Sequence, residues 1–303
     1  MKIRLSFIII SLLAFSLVNA QSDLFKVMAS KGGLIKSAEN WSTLISGKKV
    51  HANNQIKILK NGYVSLLHKS GKSVELKKEG VYDVNKLASD INTVQKSYSQ
   101  KYANYVMVGM TGGKGSNQSM DDTGSVTRSD KRNKVGIPNT IMLFASTETN
   151  VDSKSKNIIK WTEISDVESY KIVISDLNDK VLFEKIINGN AISFNDINVE
   201  LKSGEKYIFN VSVNDSKEYT PAKCTLTILS QVETESINEE LSNLKNELDA
   251  ESAIDNLIFA AFYEEKGLYL DAFQHYEKAL ILAPKVRDYQ KAYDEFTFRI
   301  GIE

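Results

Sequence analysis

The sequence predicts a multidomain chain: a small all-β domain with a trailing helix, then a β-sandwich, then a C-terminal α-helical bundle. Three observations carry this expectation. Apolar residues alternate with polar ones over residues 56–76 and again over 170–213, the period of half-buried strands. Between those regions lies a stretch of Gly, Ser, Asp and Lys with almost nothing to bury, expected as a disordered linker over 111–136. From about residue 236 onwards leucines and aromatics recur at threes and fours, the helical spacing.

Ahead of these regions, residues 1–20 read as a secretory signal peptide. Lys2 and Arg4 open it, an apolar run extends from Leu5 to Val18, and Val18-Asn19-Ala20 places small residues at the cleavage point. The run is shorter than the ~20 residues a spanning helix needs, so the mature chain is expected to start at Gln21 and to keep no transmembrane segment. An exported chain does not meet ATP, NAD or reducing thiols. Cys224 is the single cysteine, so no intramolecular disulfide forms, and its alternating surroundings suit an inert, half-buried thiol.

The formal net charge of zero conceals an asymmetry. Residues 21–136 carry 19 Lys/Arg against 9 Asp/Glu, 137–230 carry 10 against 13, and 231–303 carry 7 against 16. A basic front and an acidic tail imply internal docking, different partners for the two ends, or solvated faces.

In the first module, residues 21–110, Ile56 and Ile58, then Tyr63, Ser65 and Leu67, then Val74 and Leu76 alternate with polar neighbours. Asn61-Gly62 and Ser70-Gly71 are read as hairpin turns between them. The stretch LFKVMASKGGLIKS…GYVSLLHKSGKSVEL…GVYDV resembles the FecR-type β domain over about 60 residues. Such domains occur in periplasmic regulators that relay a transporter's state to a sigma factor; the membrane helix of that arrangement has no counterpart here. From Val84 to about Met110, Leu87, Ile91, Val94, Tyr98, Tyr102, Tyr105 and Val106 mark a helix expected to pack on the β domain.

The second module, 137–230, places Tyr170, Ile172 and Ile174 on one strand face and Tyr207, Phe209, Val211 and Val213 on another, with Trp161 as a core plug. Leu201, the turn at Gly204 and Tyr207 resemble the tyrosine corner of fibronectin type III and immunoglobulin-like sandwiches. That resemblance implies that the Tyr207 hydroxyl ties its strand to the preceding loop.

The third module, 231–303, opens on Ser236-Ile-Asn-Glu239, read as a capping box. Residues Tyr263 to Pro284 resemble one tetratricopeptide repeat, with small residues at Gly267, Ala272 and Ala279 and aromatics at Tyr269, Phe273 and Tyr276. Asn256 and Ala260 depart from that pattern in the first helix. One repeat with flanking helices makes a small bundle, with Asp271 and Glu277 expected to face water.

Chemistry is weakly represented. Gly71-Lys72-Ser73 has Leu66, and Gly113-Lys114 has Val108, where a P-loop needs glycine. His51, His68 and His275 lie far apart, with His275 expected at the surface or in a groove, and Asp121-Asp122 and Glu264-Glu265 read as solvated pairs. No catalytic, cofactor or metal residue is expected, and no nucleic-acid partner. The sequence points to a non-enzymatic adaptor or sensor of a gram-negative envelope, periplasmic, outer-membrane-associated or secreted, that meets envelope proteins through its helical module. The other reading is a binding module for anionic glycan or lipid headgroups, such as peptidoglycan or lipopolysaccharide, through the basic N-terminal domain.

Overall fold

The computed structural model describes residues 23–91, 98–111, 140–152 and 157–302. The expected signal peptide, Asp121-Asp122 and nearly all of the expected linker lie outside them. No helix among the described residues is long and apolar enough to cross a membrane.

The chain begins with a six-stranded sheet: β1 (Asp23–Ser37), β2 (Asn40–Thr43), β3 (Lys49–His51), β4 (Gln55–His68), β5 (Ser73–Leu76) and β6 (Gly80–Asp83). β1 and β4 pair antiparallel along their length; β2 and β3 flank β1, while β5 and β6 flank β4. Ser70-Gly71 makes the β4–β5 turn, as its residues predict. Asn61-Gly62 does not make a turn. β4 runs through it as a bulge, the register passing from Lys31↔Tyr63 to Gly33↔Ile58. Asn61 takes φ 58°, and Gly62 approaches the backbone so closely that a Cβ would sit 2.7 Å from the Leu59 carbonyl oxygen. The same residue types that close a hairpin here kink one long strand.

The bulge divides β4 into unlike halves. In the first, Ile56 and Ile58 enter a core with Ile35, Val50, Val64 and Leu66, while Lys57 and Leu59 are exposed. In the second, every residue from Gly62 to His68 is buried. Val64 and Leu66 continue the inner core; Tyr63 and Leu67 belong to a second cluster, shared with the helices. A strand covered on both faces loses its alternation.

The helices are α1 (Val84–Ser89), α2 (Ser99–Thr111), α3 (Gln231–Glu247), α4 (Ala253–Glu265), α5 (Tyr269–Leu282) and α6 (Arg287–Arg299). The single helix expected over 84–110 is thus two. Tyr102, Ala103, Val106, Met107 and Met110 of α2 pack in one cluster with Met28, Ala29, Tyr63 and Leu67 of the sheet and with α3 to α6. α2 is thus a member of the C-terminal bundle, packed on α4 and α6, and it reaches the β domain through Ser99, whose Oγ donates to the Gly71 carbonyl at 2.9 Å. α3 starts earlier than its expected cap. Ser230 caps it, its Oγ accepting from Glu233 N at 3.3 Å while Glu233 returns a bond to Ser230 N at 2.9 Å. Ser230-x-x-Glu233 has the spacing of Ser236-x-x-Glu239, and the strand ending at Ile228 leaves the helix free to begin at the first of the two.

The intervening module has a five-stranded sheet, ordered β10-β9-β12-β13-β7, and a two-stranded one, β11-β8. Its strands are β7 (Glu148–Val151), β8 (Ile158–Lys160), β9 (Ser169–Ser175), β10 (Val181–Asn188), β11 (Ala191–Ser193), β12 (Lys206–Val213) and β13 (Ala222–Ile228). Both sheets face one core holding Ile159, Trp161, Tyr170, Ile172, Phe209 and Leu226. Trp161 is fully buried, edge-on to Tyr170 at 5.5 Å between ring centres. The Tyr207 hydroxyl accepts from Lys202 N at 2.9 Å, tying β12 to the loop before it. Cys224 is buried, and burial pushes its thiol up to about 12, the state of an unreactive sulfur.

Candidate functional site

The C-terminal helices meet the first sheet through an apolar core that encloses a buried polar knot. The Tyr289 hydroxyl donates to Ser65 Oγ at 2.9 Å and lies 2.8 Å from the Tyr63 hydroxyl, which donates to Glu75 Oε1. That same carboxylate oxygen accepts from Ile254 N at 3.1 Å. Beside it, Asp255 accepts from Ser73 Oγ and from Asp249 N, and burial pushes its carboxyl up to about 6 against the pull of those two bonds. Asp288, at the start of α6, accepts from Ser46 Oγ at 2.7 Å.

The same helices meet the sandwich through hydrogen bonds. Gly267 ends α4 at φ 69°, a conformation that favours glycine, and its carbonyl accepts from Asn150 N at 2.8 Å. The Asn150 side chain donates to Lys266 O at 2.8 Å, and a Cβ on Gly267 would stand 2.8 Å from that Nδ2. Asn157 Nδ2 donates to Asp271 Oδ2 at 2.6 Å, and Lys160 pairs with Glu277 at 2.7 Å. Asp271 thus lies in a joint and not in water, while Glu277 sits at its margin, about one-third exposed. Burial pushes the Asp271 carboxyl up to about 6, opposed by the bond from Asn157. Apolar contact here includes Leu270 in the sandwich core and Phe144 against Phe273 at 5.3 Å.

The remaining candidates are also structural. His275 is sandwiched between Tyr263, ring centres 5.1 Å apart, and Phe259; its Nδ1 meets Asn256 Oδ1 at 2.9 Å. Burial, with Lys278 and Lys245 nearby, holds its pKa down to about 4. Asn256 Nδ2 donates to the Ala250 and Ser252 carbonyls, which accounts for a buried amide on α4. Glu264 is buried, gripped by Arg299 at 2.7 and 3.0 Å and by the hydroxyls of Tyr105 and Tyr276, so one carboxylate pins four helices. His68 is buried edge-on to Phe25, and His51 lies 3.0 Å from Asp23. Among the described residues no group of three His, Cys, Asp or Glu side chains could hold a metal ion.

One surface is left open. On the outward face of the first sheet, beyond the part the helices cover, residue pairing aligns two rows across β2, β1, β4 and β6: Trp41, Lys36, Gln55, Asp83 and Thr43, Leu34, Lys57, Val81. Leu59 continues the line of Gln55 and Lys57 at the bulge. Trp41, Leu59 and Val81 are 38, 41 and 55% exposed. Sequence reading missed this face because its apolar members come from four separate strands; the signal was the outward row Gln55, Lys57, Leu59 mixing charge with a large apolar side chain. The free edge β10 is less open to a partner, since Lys185 pairs with the core residue Ile172 and so puts a charge on the core-facing side.

No protein-family model matches this chain, and no curated protein matches it.

Proposed function

We propose that the chain is a non-enzymatic scaffold exported to the cell envelope, in which the C-terminal helices are an internal clasp and the two β modules present the outward surfaces. The observation that carries this reading is that α4 to α6 engage both β modules at once: Tyr289, Asp255 and Asp288 hold the first sheet, while Lys266, Gly267, Asp271 and Glu277 hold the sandwich. A repeat helix pair usually offers its faces to a partner. In α4, every residue from Ala253 to Phe262 is buried within the chain itself, so partners are met on the β modules. The basic front and acidic tail are complementary in this arrangement, as in the Lys101–Glu265 pair at 2.6 Å.

The test is site-specific photocrosslinking in intact envelopes from Trp41 on β2, Ile186 on β10 and Ile281 on α5. Discrete protein or polymer adducts from a β-module position support the scaffold; adducts from Ile281 alone, or retention of the chain in the cytoplasm, overturn it.

A further inference from the structure

We propose that the open face of the first sheet is a binding site for an anionic polysaccharide, with Trp41 as a stacking platform for sugar rings and Lys36 and Lys57 as the groups that meet its carboxylates or phosphates. Trp41 and Lys36 are Cα partners across β1 and β2, and Leu34 and Lys57 are Cα partners across β1 and β4. An exposed indole therefore lies beside one ammonium group, and an aliphatic strip made of Leu34, Leu59 and Val81 lies beside the other. Neighbouring strands are about 4.8 Å apart, so a chain laid across the rows meets an apolar or a cationic group at each strand.

The charge pattern selects an anion. Some lysines elsewhere are matched within the chain, among them Lys49 to Asp23, Lys77 to Glu75 and Lys101 to Glu265, yet residues 21–136 hold 19 Lys/Arg against 9 Asp/Glu, so the first module carries a cationic excess. Among the described residues no carboxylate lies within ion-pair distance of Lys36 or Lys57. The one acid on the face, Asp83, is engaged in capping α1 through a bond from Lys86 N at 3.0 Å. Thr43 and Gln55 complete the rows with neutral hydrogen-bonding groups, which suit hydroxyls. The mixture of stacking surface, amide, hydroxyl and unmatched cations fits an acidic glycan better than an acyl chain, for which the cations would be misplaced among the apolar groups. It is also a sheet face and not an edge, so a peptide could not pair its backbone there.

The experiment uses the mature chain, residues 21–303, with polygalacturonate as the acidic glycan, dextran as its neutral counterpart and phosphatidylglycerol vesicles as the lipid. Trp161 is fully buried and Trp41 is exposed, so quenching of tryptophan fluorescence by acrylamide reads Trp41. Polygalacturonate should shield Trp41 from acrylamide, an effect that fades between low and physiological salt. In co-sedimentation, Lys36→Gln with Lys57→Gln, and separately Trp41→Ala, should each weaken binding by roughly tenfold, the ratio that corresponds to about 1.4 kcal/mol. All these side chains are at least partly exposed, so unchanged melting temperatures will show the variants folded. Equal binding of dextran, binding of vesicles in preference to polygalacturonate, or variants that bind like the parent would each overturn the proposal. Crosslinking of the β modules to envelope proteins would survive that outcome, so the scaffold reading stands or falls separately.

Discussion

The two joints made by the C-terminal helices differ in kind. Toward the first sheet, Met28, Ala29, Tyr63 and Leu67 share one continuous core with α2 to α6, and the hydroxyls of Tyr63, Ser65 and Tyr289 are buried with it. Toward the sandwich, apolar sharing is slight, with Leu270 set in the sandwich core and one docked aromatic pair, and the joint is otherwise held by Asn150, Asn157, Asp271 and Lys160. Fused apolar surface makes one cooperative unit, because neither side can be solvated without exposing the other. A hydrogen-bonded joint lets its two sides keep their own cores. The first sheet and the helices are thus one folding domain assembled from both ends of the chain, with the sandwich attached to it as a second.

Breaking the fused joint should have the largest effect. Met28→Ala, at a fully buried position on the outward side of β1, should cost about 2–5 kcal/mol and melt sheet and helices together in one calorimetric transition. Two separate transitions for sheet and helices would break the comparison.

Next comes the buried acid of the sandwich joint. Asp271 has a folded pKa pushed up to about 6 from an ordinary 3.8, so its contribution is present below the lower value and lost as pH rises through the upper. At about 1.4 kcal/mol per unit the loss is at most about 3 kcal/mol. Urea denaturation from pH 4 to 7 should show a steeper decline in the parent than in Asp271→Asn, which can still accept the bond from Asn157 and keeps only the similar contribution of buried Asp255.

A smaller effect is expected at Asn150. Its replacement by alanine leaves the Lys266 carbonyl without that donor and should cost about 1–2 kcal/mol. The loss should appear as earlier proteolytic release of the sandwich from the helices, with the melting of the sheet–helix unit nearly unchanged. The smallest change belongs to Lys160→Gln, since both partners of the Lys160–Glu277 pair are about one-third exposed and such pairs contribute less than about 1 kcal/mol. A larger loss would mean that charge, and not the Asn150 and Asn157 bonds, holds this joint.

Within modules, the sequence was legible. Alternation located β9 and β12, the resemblance of Leu201–Tyr207 to a tyrosine corner anticipated the hydroxyl bond to Lys202 N, and helical spacing placed α4 to α6. Between modules it was not. Ser30 and Asp288, or Tyr63 and Tyr289, meet across more than 200 residues, and no local period records such a contact. Asp271 and Glu277 illustrate the limit: a polar residue on a helix looks the same whether water or another module faces it. Two signals were nevertheless in the sequence. Tyr63 to Leu67 has Ser65 as its one polar residue, fewer than a one-faced strand carries, and Ala253 to Phe262 is apolar on nearly all sides of a helix, the mark of an element surrounded by protein. The open face fell outside reach for the opposite reason, since it exists only once four strands are in register.

Because the outward side of β1 and β4 is covered by residues from the far end of the chain, the first module cannot finish folding when it is made. During synthesis, Met28, Ala29, Tyr63 and Leu67 wait for α4 and α6. Over that interval they form a sticky, incomplete surface of the kind that holdase chaperones protect. A nonsense mutation anywhere before α6 would therefore unravel the beginning of the protein as well as its end.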